Sequence, residues 1–187
     1  MIAAVVGHDY SGAREYLAFL AKSEMEGGRK LYYAGMQDEF AFEGYETFEG
    51  ADLFELVEKD ELWNCCVCLN RAYAFFDSRN VMSKLNKLFT YFVVTSRTRD
   101  NIVLIGANEF DHIDRRLRRS CDVLIECNLG IKPFTSVINA RDRRFSKGKT
   151  FVVDLKEHRN LLKVSLMPEE GEESETPFVA QLKGLQV

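Results

Sequence analysis

The chain alternates short apolar runs with longer amphipathic segments. Ile2 to Val6, Lys30 to Ala34, Cys65 to Leu69, Asn101 to Ile105 and Val123 to Cys127 are apolar enough for buried strands. Between them, Ala13 to Glu26, Ala51 to Lys59, Val81 to Phe92 and Asp111 to Arg119 read as helices. Apolar strands alternating with helices predict an α/β fold: a mostly parallel sheet with helices on both faces. The segment Gly35 to Gly50, rich in Gly, Glu and Phe, is read as a connection.

After Cys127 the rhythm changes. Phe134 to Ala140, Thr150 to Leu155 and Leu161 to Met167 read as strands, separated by the stretches RDRRFSKGK and KEHRN. They are predicted as antiparallel additions at one edge of the sheet. Glu169 to Thr176, dense in glutamate, reads as a solvated loop or hinge, and Phe178 to Val187 as a short strand or a docking tail. One domain is expected, with a core over 1–128 and an edge extension over 129–187.

Composition adds limits. A length of 187 residues with 46% hydrophobic content supplies one full core. The net charge of -4 is unevenly spread, with cations gathered between Arg97 and Lys149 and acids in Glu39 to Glu61 and Glu169 to Glu175. No apolar run approaches a membrane span, and no basic segment precedes an apolar one at the N-terminus, so a cytoplasmic chain without membrane contact is expected. Cys65, Cys66 and Cys68 lie within a strand, where neighbours point to opposite faces, and no histidine is near them. With Cys121 and Cys127 they read as small buried hydrophobes in a reduced compartment. His8, His112 and His158 lack ligand spacing, and no metal site is expected.

The most informative stretch is MIAAVVGHDYSGAREY. Gly7 and Gly12 have the spacing of the glycines in G-x-x-x-x-G-K-[ST], between an apolar strand and a helix, with Ser11 beside the second glycine. This is the order a phosphate loop requires, but the lysine position holds Ala13 and the Ser/Thr position holds Arg14. Arg14, one residue on, is expected to be rotated by about 100° and to leave the phosphate cradle. A second apolar run, WNCCVCLNR, ends in Asn70 and Arg71, where a working phosphate-loop site would carry an aspartate for magnesium and a glutamate for the attacking water. A cation in place of an acid there disfavours a divalent metal, since unit charges about 4 Å apart interact by about 4 kcal/mol at an effective dielectric of about 20. Gly148, Lys149 and Thr150 spell a second GKT, but Arg143 replaces the upstream glycine and a strand follows, so it reads as a turn.

The segment after Arg71 resembles the DNA-packaging and DNA-translocating ATPases of viruses and mobile elements, the FtsK- and HerA-like and zonula-occludens-toxin-like P-loop group. The resemblance runs from Met1 to Asn128 and rests on Phe76-Asp77-Ser78-Arg79, Ser96-Arg97-Thr98-Arg99 and Ile113-Asp114-Arg115-Arg116-Leu117-Arg118. It implies a RecA-like sheet with the nucleotide edge at the strand C-termini and a homo-oligomeric assembly. Asn108 stands where the family carries a sensor glutamine. The family places Asp77, Arg79 and Arg97 near a subunit or nucleotide edge. Arg115, Arg116, Arg118 and Arg119 form either a solvated face or the source of an arginine finger. In the family the cofactors are ATP and magnesium. With Ala13, Arg14, Asn70 and Arg71 at the four chemical positions, neither is expected here, and no ATP hydrolysis. Arg141, Arg143, Arg144, Lys147 and Lys149, opposed only by Asp142, suit contact with a DNA backbone or simple solvation. Two alternatives remain: a working motor that tolerates these residues, and a scaffold retaining only the fold.

Overall fold

The computed structural model describes residues 1–35, 40–48, 50–59, 61–71, 91–130 and 135–163. The expectations for Asp77, Arg79, residues 81–90 and everything beyond Lys163 lie outside these. The elements are β1 (Ile2–Val6), α1 (Ala13–Glu26), β2 (Lys30–Ala34), β3 (Tyr45–Thr47), α2 (Gly50–Glu58), β4 (Cys65–Leu69) and β5 (Ile102–Ala107), followed by α3 (Arg115–Ser120), β6 (Val123–Leu129), β7 (Thr135–Asp142), β8 (Lys147–Asp154) and α4 (Lys156–Arg159). Residues 91–96 are helical, and a 3-10 turn covers Phe110–His112.

One eight-stranded sheet has the order β3-β2-β4-β5-β1-β6-β7-β8. Pairing is parallel from β3 to β6 and antiparallel from β6 to β8. Three differences from the sequence reading are local. Tyr45–Thr47 forms a short strand inside the supposed connection, too brief to show a period, and its Tyr45 packs edge-on to Tyr33 and Phe40. Leu161 to Met167 is not a strand over its described part: Leu161 is in a turn and Leu162 makes a single antiparallel bridge to Phe40. The helix expected over Asp111 to Arg119 is broken at Ile113, and Asp114 starts α3 by accepting from the Arg116 amide at 2.8 Å.

Alternation along each strand sends side chains to two cores. Ile2, Ala4 and Val6 of β1 join Cys65, Val67 and Leu69 of β4 on one face, with Val57 of α2 and Leu117 of α3. Ala3 and Val5 join Cys66, Cys68 and the inner side of α1 on the other. All five cysteines are free and buried. Burial pushes the thiols of Cys65 and Cys121 up to about 11 and that of Cys127 to about 12, so they pack as small hydrophobes. Among the described residues no group of His, Cys, Asp or Glu is placed to hold a metal ion, and no helix is long and apolar enough to cross a membrane.

The end of the sheet away from the glycine loop is closed by two buried polar residues. Asn101, fully buried, accepts from the Cys65 amide at 3.1 Å and donates to the Leu62 carbonyl at 2.8 Å. Asp122 accepts from the Ile2 amide at 2.9 Å and from Arg97 at 2.7 Å. Replacing Asn101 with Ala leaves a buried amide and a buried carbonyl without partners. Asn101→Ala is therefore expected to lower unfolding free energy by about 2–4 kcal/mol, read by urea denaturation. A loss below about 0.5 kcal/mol would mean that this latch does not hold β4 to β5.

Candidate functional site

The site starts where β1 runs out of apolar residues. The Gly7 amide donates to the Ala107 carbonyl of β5 at 3.2 Å, the last bond before the chain leaves the sheet. The Ser11 amide then donates to the His8 carbonyl at 3.0 Å, and the Ser11 hydroxyl accepts from the Ala13 amide at 3.3 Å. Gly12 has φ 80, a left-handed conformation that favours glycine, and its carbonyl opens α1 by accepting from Tyr16 at 2.9 Å. Gly7 is needed for space rather than conformation: a Cβ there would lie 2.3 Å from Ser11 Oγ and 2.7 Å from the Cys127 carbonyl oxygen. The result is a tight loop that ends on the N-terminus of a 14-residue helix, where backbone amides and the helix dipole favour an anion.

The topology brings the separated motifs together. Gly7, Ala13 and Arg14 share one cleft with Asn70 and Arg71 from the end of β4 and Asn108 from the end of β5. β4 is not next to β1, because β5 lies between them. Asn70 nevertheless borders the cleft, across Gly106 of β5. A Cβ at Gly106 would fall 2.8 Å from Asn70 Oδ1 and 2.7 Å from Leu17. Sequence reading passed over Gly106; a glycine inside an apolar strand run was the available signal. Arg14 also departs from expectation, since it stays half-buried and lines the cleft rather than leaving it. Arg71 sits at φ 53, outside the usual region for its type. The cleft has a free volume of about 20 Å³, space for about one water molecule.

No protein-family model matches the sequence, and no curated protein matches it. Solved structures do. The N-terminal domain of zonular occludens toxin from Neisseria meningitidis aligns with a TM-score of 0.63 at 15% identity, covering 87% of this chain and 98% of that one. The genome packaging NTPase B204 from Sulfolobus turreted icosahedral virus 2, bound to ATPγS, aligns with a TM-score of 0.58 at 11% identity, covering 80% and 95%. The RadB recombinase aligns with a TM-score of 0.61 at 14% identity, covering 86% and 89%. The chain has the P-loop NTPase fold.

Within that fold the remaining candidates separate. Arg97 is far from the P-loop edge. It donates to Asp122 and to the Ser120 carbonyl at 2.8 Å, at the opposite end of the sheet. Arg115, Arg116 and Arg119 of α3 are exposed, whereas Arg118 pairs with Asp111 and lies over the Phe110 ring. The basic segment is not a single loop: Arg141 is on β7, residues 143–146 form the turn, and Lys147 and Lys149 are on β8. The supposed GKT turn is therefore strand. Asp142 is not the sole opposing acid, because Arg141 approaches Glu126 at 3.5 Å while Arg144 holds Asp142 at 2.9 Å. The edge extension, in turn, reaches the P-loop. Leu155, fully buried after β8, lies where a Gly12 Cβ would be only 2.1 Å away, and His158 of α4 stacks on Phe19 of α1 at 4.3 Å.

This contact gives a coupled pair. Gly12→Ala places a Cβ at φ 80 and against Leu155, and is expected to cost about 2–4 kcal/mol from strain and overpacking. Leu155→Ala alone is expected to cost about 2–4 kcal/mol from its cavity. The double variant should recover at least about 1 kcal/mol relative to the sum, since the cavity receives the new methyl. Strict additivity in denaturant titrations would show that Leu155 does not brace the loop.

Proposed function

We propose that this chain is a P-loop-fold subunit that does not hydrolyse ATP and serves DNA handling as a DNA-binding or assembly component. One observation carries this reading. The cleft that gathers the loop, the end of β4 and the end of β5 is lined by Ala13, Arg14, Asn70 and Arg71. None of these can do the work expected at its position. Ala13 brings no point charge to a β- or γ-phosphate, and Arg14 offers donors where magnesium needs an oxygen. Asn70 is a neutral ligand at best, and Arg71 places a cation where a base would orient water. The likeness in fold to a genome packaging NTPase supports a role with DNA.

The frame favours a second reading, a working motor completed by a neighbouring copy. The loop still ends on a long helix, and Arg115, Arg116 and Arg119 are exposed on α3. ATP turnover separates the two readings. The chain is expected to show no magnesium-dependent ATPase activity above background, and turnover that survives removal of contaminating ATPases would establish the motor. The variant Ala13→Lys, Arg14→Thr, Asn70→Asp, Arg71→Glu is expected to gain ATP binding in calorimetry, because the backbone cradle persists. A folded variant that still binds no nucleotide would remove the loop from the functional account.

A further inference from the structure

One edge of the sheet is long, regular and open. β8 pairs with β7 in unbroken register from Lys147 to Asp154, and among the described residues no strand lies on its other side. Neither a proline nor a bulge interrupts it, and every residue but Val153 is exposed. A free row of amides and carbonyls invites another strand unless charges, prolines or bulges guard it. Here the lysines, Lys147 and Lys149, stand at one end only, and Thr150 to Val153 is an uncharged, β-prone run.

The pairing of β6 with β7 fixes which groups are free. Gly130 donates its amide to the Thr135 carbonyl and Arg143 to the Asp122 carbonyl, each at 2.8 Å. The odd-numbered residues of β7 therefore bond to β6 and the even-numbered ones to β8. On β8 their partners are Lys147, Lys149, Phe151 and Val153. Gly148, Thr150, Val152 and Asp154 are left with amides and carbonyls pointing outward. An apolar row ends on the same edge. Cys127, Ile138 and Phe151 lie opposite one another on β6, β7 and β8, on the face that α1 covers. Cys127 and Ile138 are buried, whereas Phe151, last in the row, is 38% exposed.

The same strand from a second copy completes both features. The outward residues run from Gly148 to Asp154, with Phe151 at their centre. When β8 meets β8 antiparallel about a two-fold axis at Phe151, Gly148 faces Asp154 of the second copy and Thr150 faces its Val152. Every outward group then has a partner, and any other register leaves some of them unpaired. Phe151 meets Phe151 of the second copy in a non-hydrogen-bonded pair, where opposite side chains are closest, so the apolar row runs on from one core into the other. Charge selects the direction. Parallel pairing would set each lysine beside its own copy, whereas antiparallel pairing sends Lys147 and Lys149 to the end where the second strand carries Asp154.

We infer that the outer edge of β8 binds a second copy of this chain, joining two eight-stranded sheets across a two-fold axis at Phe151. The pairing goes beyond the proposed role in DNA handling and needs neither nucleotide nor nucleic acid. It points the two glycine loops to opposite ends of the joined sheet.

Sedimentation equilibrium of the full chain, from micromolar to millimolar concentration, tests it. A monomer–dimer equilibrium between 21.5 kDa and twice that mass is expected. Val152→Pro removes an outward amide and no bond to β7, so the monomer should stay folded. Two lost hydrogen bonds should raise the dimer dissociation constant by about 5- to 150-fold. Phe151→Lys and Phe151→Glu should each be monomeric alone, since like charges meet at the axis, and should pair when mixed. Only a residue that faces itself across the axis behaves in this way. Circular dichroism checks that each variant is folded. A parent chain that stays monomeric, assemblies larger than a dimer, or a dimer that Val152→Pro leaves unchanged overturns the inference. So does a mixture of the two folded charge variants that remains monomeric.

Discussion

The structure depends on placing β1 in the interior of the sheet. Its neighbours β5 and β6 are about a hundred residues away in sequence, and helices cover both of its faces. A five-residue strand buried on all sides can carry no polar side chain, which is why it reads IAAVV. Ala3, on the face that α1 covers, leaves room for the helix to pack close to the sheet. The position also fixes what happens at each end. At the N-terminal end the Ile2 amide needs a buried acceptor and finds Asp122; at the C-terminal end the chain must turn at once, and glycine is the residue that fits beside Ser11 and the Cys127 carbonyl. The loop follows from the strand's burial, whatever chemistry it carries.

Packing alone accounts for the glycines of the loop and of the strand beside it. Gly7, Gly12 and Gly106 are each held by close packing: against Ser11, against Leu155, and against Asn70 with Leu17. None of these constraints involves a ligand. Of the four positions at the cleft, Ala13 and Asn70 are buried, whereas Arg14 and Arg71 are half-buried and under less steric demand. The backbone geometry of the loop is thus secured by the packing of this chain.

Most of the fold was legible in the sequence because it rests on local pattern. The boundaries of β1, α1, β2 and β4 agree with those read from apolar runs, since strands buried on both faces stand out as continuous hydrophobic segments. β3 was missed because three residues at a sheet edge leave no period, and the helix around Asp111 was drawn too long because its break at Ile113 keeps an apolar side chain in the core. At the site, the identity of the residues was legible and their company was not. Nothing in the sequence placed Leu155 against Gly12, or Asn70 across Gly106, because both contacts depend on strand order. Resemblance places Arg97 near a subunit or nucleotide edge; its pairing with a buried carboxylate 25 residues away was not legible in the sequence.

The two ends of the sheet carry different chemistry, and topology accounts for this. Parallel strands gather their C-terminal ends, and with them the loops that face a ligand, on one side of the molecule. The antiparallel pair β7 and β8 reverses direction, so its turn emerges on the other side, beside the last turn of α3. Adding one hairpin to a parallel sheet thus creates a second surface whose composition is free of the demands of the first. Here that surface is basic and carries an exposed phenylalanine, and it is tied to the core through Asp122, the residue that also holds β1. Leu155, which ends the same hairpin, packs against Gly12 at the loop end. β8, eight residues of strand bonded to β7 over their full length, thus joins the turn at one end of the sheet to the packing of the glycine loop at the other.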